Sequence, residues 1–213
     1  MARYGKGHKQ EARERIIRQA AERFRRDGIA AVGVRALMAD AGLTHGGFYA
    51  HFASRSELVA DAVAHAAAST LDRLRQAVSE APPGAALEAL AASYLSPRHR
   101  AAMAHGCAAA ALAPEIARES DAARRRFLET NDAIVALVER CLPPGGTAQA
   151  RQARAAAVFC LMMGALQMAR IAAAPDDVAR FLDAARHGAV ALGRQPWPEA
   201  AAEAPPQPPR AGG

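Results

Sequence analysis

VRALMADAGLTHGGFYAHFASRSEL, residues 34–58, holds two short helix patterns on either side of a glycine. Leu37, Met38 and Ala41 fall on one face of a helix from about Val34 to Ala41; Gly42 closes it and Leu43 fills the inside of the turn. A third helix of the chain, about Thr44 to Phe52, follows at once. Two short helices about so tight a turn make a helix-turn-helix, whose second helix can enter a major groove. Ser54-Arg55-Ser56-Glu57 then has the residues of a capping box, Ser54 accepting from a first-turn amide and Glu57 reaching back. It opens a long fourth helix that Pro82-Pro83-Gly84 stops after about Ala81.

Upstream, a first helix begins at about Lys9, with Ile16, Ile17, Ala20, Ala21 and Phe24 in one apolar stripe. Arg13, Arg15, Arg18, Arg25 and Arg26 are read as decorating its other faces, and Gly28 as its left-handed cap. Residues 1–8 (with Arg3, Lys6 and His8) read as a flexible basic arm. Downstream, helices are expected near 85–95, 97–112, 114–142, 147–173 and 175–193, with Pro97, Pro114 and Pro175 in first turns. Residues 194–213 are proline-rich and read as a disordered tail. Half the residues are apolar, alanine is abundant, and no strand-like alternation occurs, so the class is all-α.

Charge is uneven. Residues 1–60 hold 11 Lys and Arg against 6 Asp and Glu, and the remainder hold 16 against 15. A basic head on a near-neutral body points to a polyanion as the head's partner. Cys107, Cys141 and Cys160 form no C-x-x-C pair, so neither a disulfide framework nor structural zinc is expected. The N-terminus lacks a signal-peptide pattern. The apolar run Ala155–Ala169, between Arg154 and Arg170, is short for a membrane span, so no membrane partner and a cytoplasmic location are expected.

The string from Val34 to Leu58 resembles the TetR/AcrR family of regulators, whose hallmark is a short recognition helix ending in an aromatic-Tyr-x-His-Phe run before a capped long helix. Here that run is Phe48-Tyr49-Ala50-His51-Phe52, followed by Ser54-Arg55. The resemblance is specific over residues 9–65 and architectural beyond. It implies a three-helix DNA-binding domain at 9–65 and a larger helical ligand-binding and dimerisation domain at 66–193. Gly33 departs from the usual Ser or Thr cap, and Met38 from a small residue, which is expected to set the two short helices slightly wider apart.

By resemblance, Thr44, His45, Gly47 and Tyr49 contact bases or nearby phosphates while His51 and Arg55 clamp the backbone. Arg35 stands at the start of the second helix, and Gly46 and Gly47 let backbone approach a duplex. Phe48 and Phe52 are read as core plugs. One short recognition helix reads few bases, so a homodimer on a palindromic operator is expected. Its interface is read on the last two helices: Met162 and Leu166, then the stripe Val178, Phe181, Leu182, Ala185, Ala189 and Leu192.

Effector contacts are sought among polar or soft residues on apolar faces. These are Met103, His105 and Cys107, Phe127 and Asn131, and Phe159, Met163 and Gln167, and they imply a hydrophobic small molecule. An alternative is a regulator that senses oxidants or electrophiles through Cys107, with His105 close by. No cofactor or metal is expected, and no enzyme motif such as G-x-S-x-G or H-E-x-x-H is present.

Overall fold

The computed structural model describes residues 2–197, and among these residues there is helix and no strand. α1 is Ala2–Asp27, α2 Val34–Asp40, α3 His45–Ala50 and α4 Arg55–Ser79. The body adds α5 (Ala86–Tyr94), α6 (Pro97–Ala101), α7 (Ala108–Ile116), α8 (Asp121–Arg140), α9 (Ala148–Ile171) and α10 (Pro175–Arg194).

In the head, Gly28 at φ 88° and Gly42 at φ 71° take the left-handed conformation that ends their helices. At Gly42 the Leu43 amide donates to the Met38 carbonyl (2.8 Å) and the Gly42 amide to that of Ala39 (2.9 Å), the bond pair of a Schellman motif. α3 is a 3-10 helix rather than the expected α-helix. Gly46 and Gly47 have the poorest helix propensity of any residue but proline. The chain uses i→i−3 bonds instead, Gly47 to Thr44 (3.0 Å) and His51 to Phe48 (2.9 Å). Met38 is fully buried, its terminal methyl 3.7 Å from where a Gly47 Cβ would stand, so a small residue in α3 makes room for a large one in α2.

Ser54 accepts from the Glu57 amide at 3.1 Å, as the capping box requires. Glu57 reaches one residue further back than expected, accepting from Ala53 at 2.7 Å. Part of the reason is that its other oxygen is taken by Arg13 at 3.1 Å. The same guanidinium pairs with Asp61, whose second oxygen receives Arg126 of α8 at 3.3 Å. One ionic chain thus ties α1, α4 and α8.

Three boundaries differ from expectation. α1 is continuous back to Ala2, so the described part of the expected arm is helical. The helix expected over 97–112 is two, α6 and α7, broken at residues 102–107 around Gly106. Pro114 lies inside α7 instead of opening the next helix; Ser120 caps α8, accepting from Ala123 at 3.3 Å. A proline inside a helix frees the carbonyl four residues earlier. That carbonyl, of Ala110, accepts from Gln167 Nε2 of α9 at 3.3 Å.

Head and body are joined at the end of α7. The Glu115 carboxylate accepts from the amides of Ile29 (2.7 Å) and Ala30 (3.1 Å), which follow the cap of α1. Glu115→Ala strands the amide of buried Ile29, so a loss of about 1–3 kcal/mol is expected in urea denaturation. An unchanged midpoint would mean that solvent satisfies these amides as well as the carboxylate does.

α9 is by length and composition the one described helix apolar enough to cross a membrane. In the bundle its Val158, Phe159, Met162, Leu166 and Ala169 are buried. Trp197, just past α10, lies over Gly145 and Gly146, donates to the Pro144 carbonyl at 3.2 Å and carries the Arg154 guanidinium 3.6 Å from its ring centre. The start of the expected tail is therefore docked, and residues 198–213 lie outside the described residues.

Candidate nucleic-acid interface and buried cationic centre

α2, the turn and α3 present one open surface. Arg35, Thr44, His45 and Gly46 are exposed, Gly47 is half-buried, and Tyr49 is 74% exposed. Beneath it Phe48 is 2% exposed and stacks on buried Phe52 at 5.5 Å. The Tyr49 ring stands edge-on to Phe48, 5.3 Å between centroids, so a rigid plug aims the phenol outward. Gly33 caps α2 with no side-chain bond.

The two residues read as backbone clamps are placed differently. His51 is half-buried and its Nδ1 is enclosed without a partner. Burial, with Lys9 and Arg13 nearby, holds its pKa below the usual imidazole value. Arg55 donates from Nη2 to the Ile29 carbonyl at 2.6 Å, and its Nη1 is 4.0 Å from Glu119. His51 is thus held by enclosure and Arg55 by its bond to Ile29, with 41% of the Arg55 side chain still exposed.

Several expected effector contacts are likewise committed within the chain. Asn131 is buried and donates to the Phe127 carbonyl at 2.7 Å, leaving its Oδ1 unpartnered. Gln167 serves Ala110, and buried Phe159 meets Tyr94 edge-on at 6.0 Å. Phe127 is buried, Met163 half-buried, and Met103 and His105 are exposed. His105 is not the imidazole at Cys107; that is His99, whose Nε2 accepts from the Cys107 amide at 2.9 Å.

His99 belongs to a buried polar centre that the sequence does not announce. Its Nδ1 lies 2.6 Å from the Tyr94 carbonyl, which can only accept, so Nδ1 carries the proton and Nε2 the lone pair. The ring is therefore neutral, and burial with Arg73 beside it lowers its pKa to about 4. The Tyr94 hydroxyl, fully buried, faces Cys107. Around them stand three arginines. Arg25, expected on the surface, is only 5% exposed and donates from Nη1 to the carbonyls of Ala66 (3.2 Å) and Gly106 (3.3 Å). Burial pushes its pKa down to about 10, against opposing pulls from Glu22 and Cys107. Arg73 and Arg170 are also lowered by burial. Position 25 lies four residues after buried Ala21, so helical spacing already put it on the inner face. Arg170 carries the same signal, four residues after buried Leu166, whereas none of this kind marks Arg73 or Glu115.

The expected dimer stripe is mostly core of the single chain. Met162, Leu166, Leu182, Ala185 and Ala189 are buried where α9 and α10 pack together, and Val178, Phe181 and Leu192 are half-buried. The outward face of α9 carries Leu161, Met168 and Ile171, the last 76% exposed. Beside it runs an apolar groove of about 400 Å³ lined by Cys160, Leu161, Gly164, Ala165, Phe181 and Ala184. The stripe misleads because a period of 3.6 finds a helix's apolar face without saying which neighbour covers it.

Residues 16–62 match the sequence model of the bacterial regulatory proteins of the tetR family. No protein of curated description matches the chain. Among solved structures, a TetR transcriptional regulator from Chloroflexus aurantiacus J-10-FL is 26% identical, with a TM-score of 0.72 over 88% of this chain and 97% of that one. The reduced form of NemR from E. coli is 18% identical (TM-score 0.69, 83% and 96% covered). SCO4454, a TetR-family regulator from Streptomyces coelicolor, is 22% identical (TM-score 0.68, 87% and 97% covered). Residues 16–62 thus form a TetR-type N-terminal domain, and the all-α chain around it shares its fold with these TetR-family transcriptional regulators.

Proposed function

We propose that the chain is a ligand-responsive repressor that binds a palindromic operator as a homodimer in the cytoplasm and is released by a small effector. The observation that carries this is the surface of α2 and α3, where Tyr49 stands clear of a Phe48–Phe52 plug beside open Thr44, His45 and Gly46. In this reading Thr44, His45 and Gly47 approach base edges and Arg35 and Tyr49 meet phosphates, while His51 and Arg55 act from behind by fixing the pose of α3. Residues 9–65 form the reading head and 66–193 the sensing and pairing body. The pairing face is the exposed side of α9 around Leu161, Met168 and Ile171, with the groove beside Phe181 of α10, because exposed apolar surface favours association. A second reading, sensing through Cys107, draws on the thiol's place at the cap of α7 among three arginines.

A gel-shift on the DNA upstream of the chain's own gene tests the main reading. Retardation by a dimer is expected, weakening steeply with salt as several phosphate contacts require. A monomer that leaves duplex DNA unshifted at low salt would sink it. Loss of regulation by an electrophile in Cys107→Ser, with operator affinity intact, separates the second reading from the first.

A further inference from the structure

The three arginines about Cys107 are poorly matched by the protein's own acceptors. Nε, Nη1 and Nη2 of Arg170 are all enclosed and none has a hydrogen-bond partner among the described residues. The same holds for Nε and Nη2 of Arg73, Nε of Arg25 and the Tyr94 hydroxyl. No described carboxylate forms an ion pair with any of the three, whereas Arg13, Arg23, Arg151 and Arg194 all have one. Enclosing a charge without a partner is among the most costly arrangements a fold can hold. The chain also reserves space for it: a Cβ on Gly106 would collide with Arg170 Nη2 and stand 2.7 Å from the Ala102 carbonyl.

This centre has an approach. A cleft of about 690 Å³, within the range of small-molecule sites, is lined by Arg73, Arg98, His99, His105, Ser96 and Glu80. Arg73 and His99 belong to both the cleft wall and the buried centre. A guanidinium presents parallel donors that match the two oxygens of a carboxylate or phosphate.

We propose that Arg73 and Arg170, with the Tyr94 hydroxyl, anchor an effector that carries an oxyanion group, a carboxylate or a phosphate, admitted through this cleft. The inference rests on the effector-responsive reading above and gives the mostly hydrophobic ligand expected from the sequence an anionic group. The anion supplies the acceptors these donors lack and screens two cations from one another. It does so at residues 102–107, from which α7 runs to the Glu115 contact with the head.

The test is thermal unfolding of the full chain, with sodium chloride exchanged at constant ionic strength for sodium benzoate or sodium phosphate. A saturable rise of about 2–4 °C is expected with one or both. Benzoate alone identifies a carboxylate ligand and phosphate alone a phosphate ligand. Arg170→Gln is expected to lose the rise while unfolding no lower than wild type in chloride, because it removes an unpartnered buried charge. Should that variant not fold, Arg170→Lys decides, since it keeps the charge and loses the fork. Its half-saturating concentration should then rise at least tenfold. Equal effects of all three salts, or an unchanged response in the variants, would overturn the anion site. If that happens while the chain still retards its own upstream DNA, the regulator reading stands. A chain that responds to anions but ignores DNA keeps the anion site and loses the regulator reading.

Discussion

Taking the protein from pH 7 to pH 4 is expected to remove about 3 kcal/mol of folding stability through His99 alone. The folded ring titrates at about 4 against an ordinary 6.5. Between those values the unfolded chain binds more protons than the folded one. The contribution is complete above about pH 6.5, falls away as pH drops through 4, and does not change on the alkaline side. Geometry gives the reason independently of any titration. A proton on Nε2 would set two N–H groups head to head, since the Cys107 amide already points there. Acid therefore breaks the bond that fixes the start of α7. Urea denaturation at pH 7 and pH 4, in wild type and His99→Gln, measures the effect as the difference between the two pH dependences. Equal dependences would show that other groups govern the acid response.

Phe48→Ala and Tyr49→Ala, at adjacent positions, are expected to fail in opposite ways. Phe48 is 2% exposed and stacks on Phe52, so its truncation leaves a cavity beneath α3 and costs about 3–5 kcal/mol. DNA binding should be lost with the head's packing, and the melting curve should show it. Tyr49 is 74% exposed, and its truncation should leave the melting temperature within about a degree or two while operator affinity falls at least tenfold. Circular dichroism melting beside a gel-shift titration separates the two. Equal loss of stability at both positions would mean that Tyr49 is part of the plug and not of the reading surface.

The head is legible in the sequence because its signals are local. Gly28, Gly42 and Ser54 announce helix ends within three or four residues of themselves, and all three act where expected. Phe48 and Phe52 are separable from Tyr49 because four-residue spacing puts the first two on one face. The body is legible only as a series of helices. Pro114 misleads because the carbonyl it frees, that of Ala110, is satisfied by Gln167 from a distant helix, and no local rule anticipates that partner. The buried centre is hidden for the same reason. Arg25, Arg73, Tyr94, His99 and Arg170 come from five separate helices, and each in its own segment looks like a surface or core residue. The stripe on α10 does not identify the pairing face expected of it, because Leu182 and Ala189 satisfy a helical pattern equally well against α9 or against a second copy.

The bond from Gln167 to the Ala110 carbonyl pins α7 to α9 at one point along its length. Cys107 lies three residues to one side of that point, roughly 4.5 Å of helix, and Glu115 five residues to the other, roughly 7.5 Å. Were α7 to tilt about that bond, it would act as a first-class lever with unequal arms. Any tilt about the pin carries the two ends in opposite directions, the longer arm travelling about 1.7 times as far, and that arm ends on the carboxylate that grips the amides of Ile29 and Ala30.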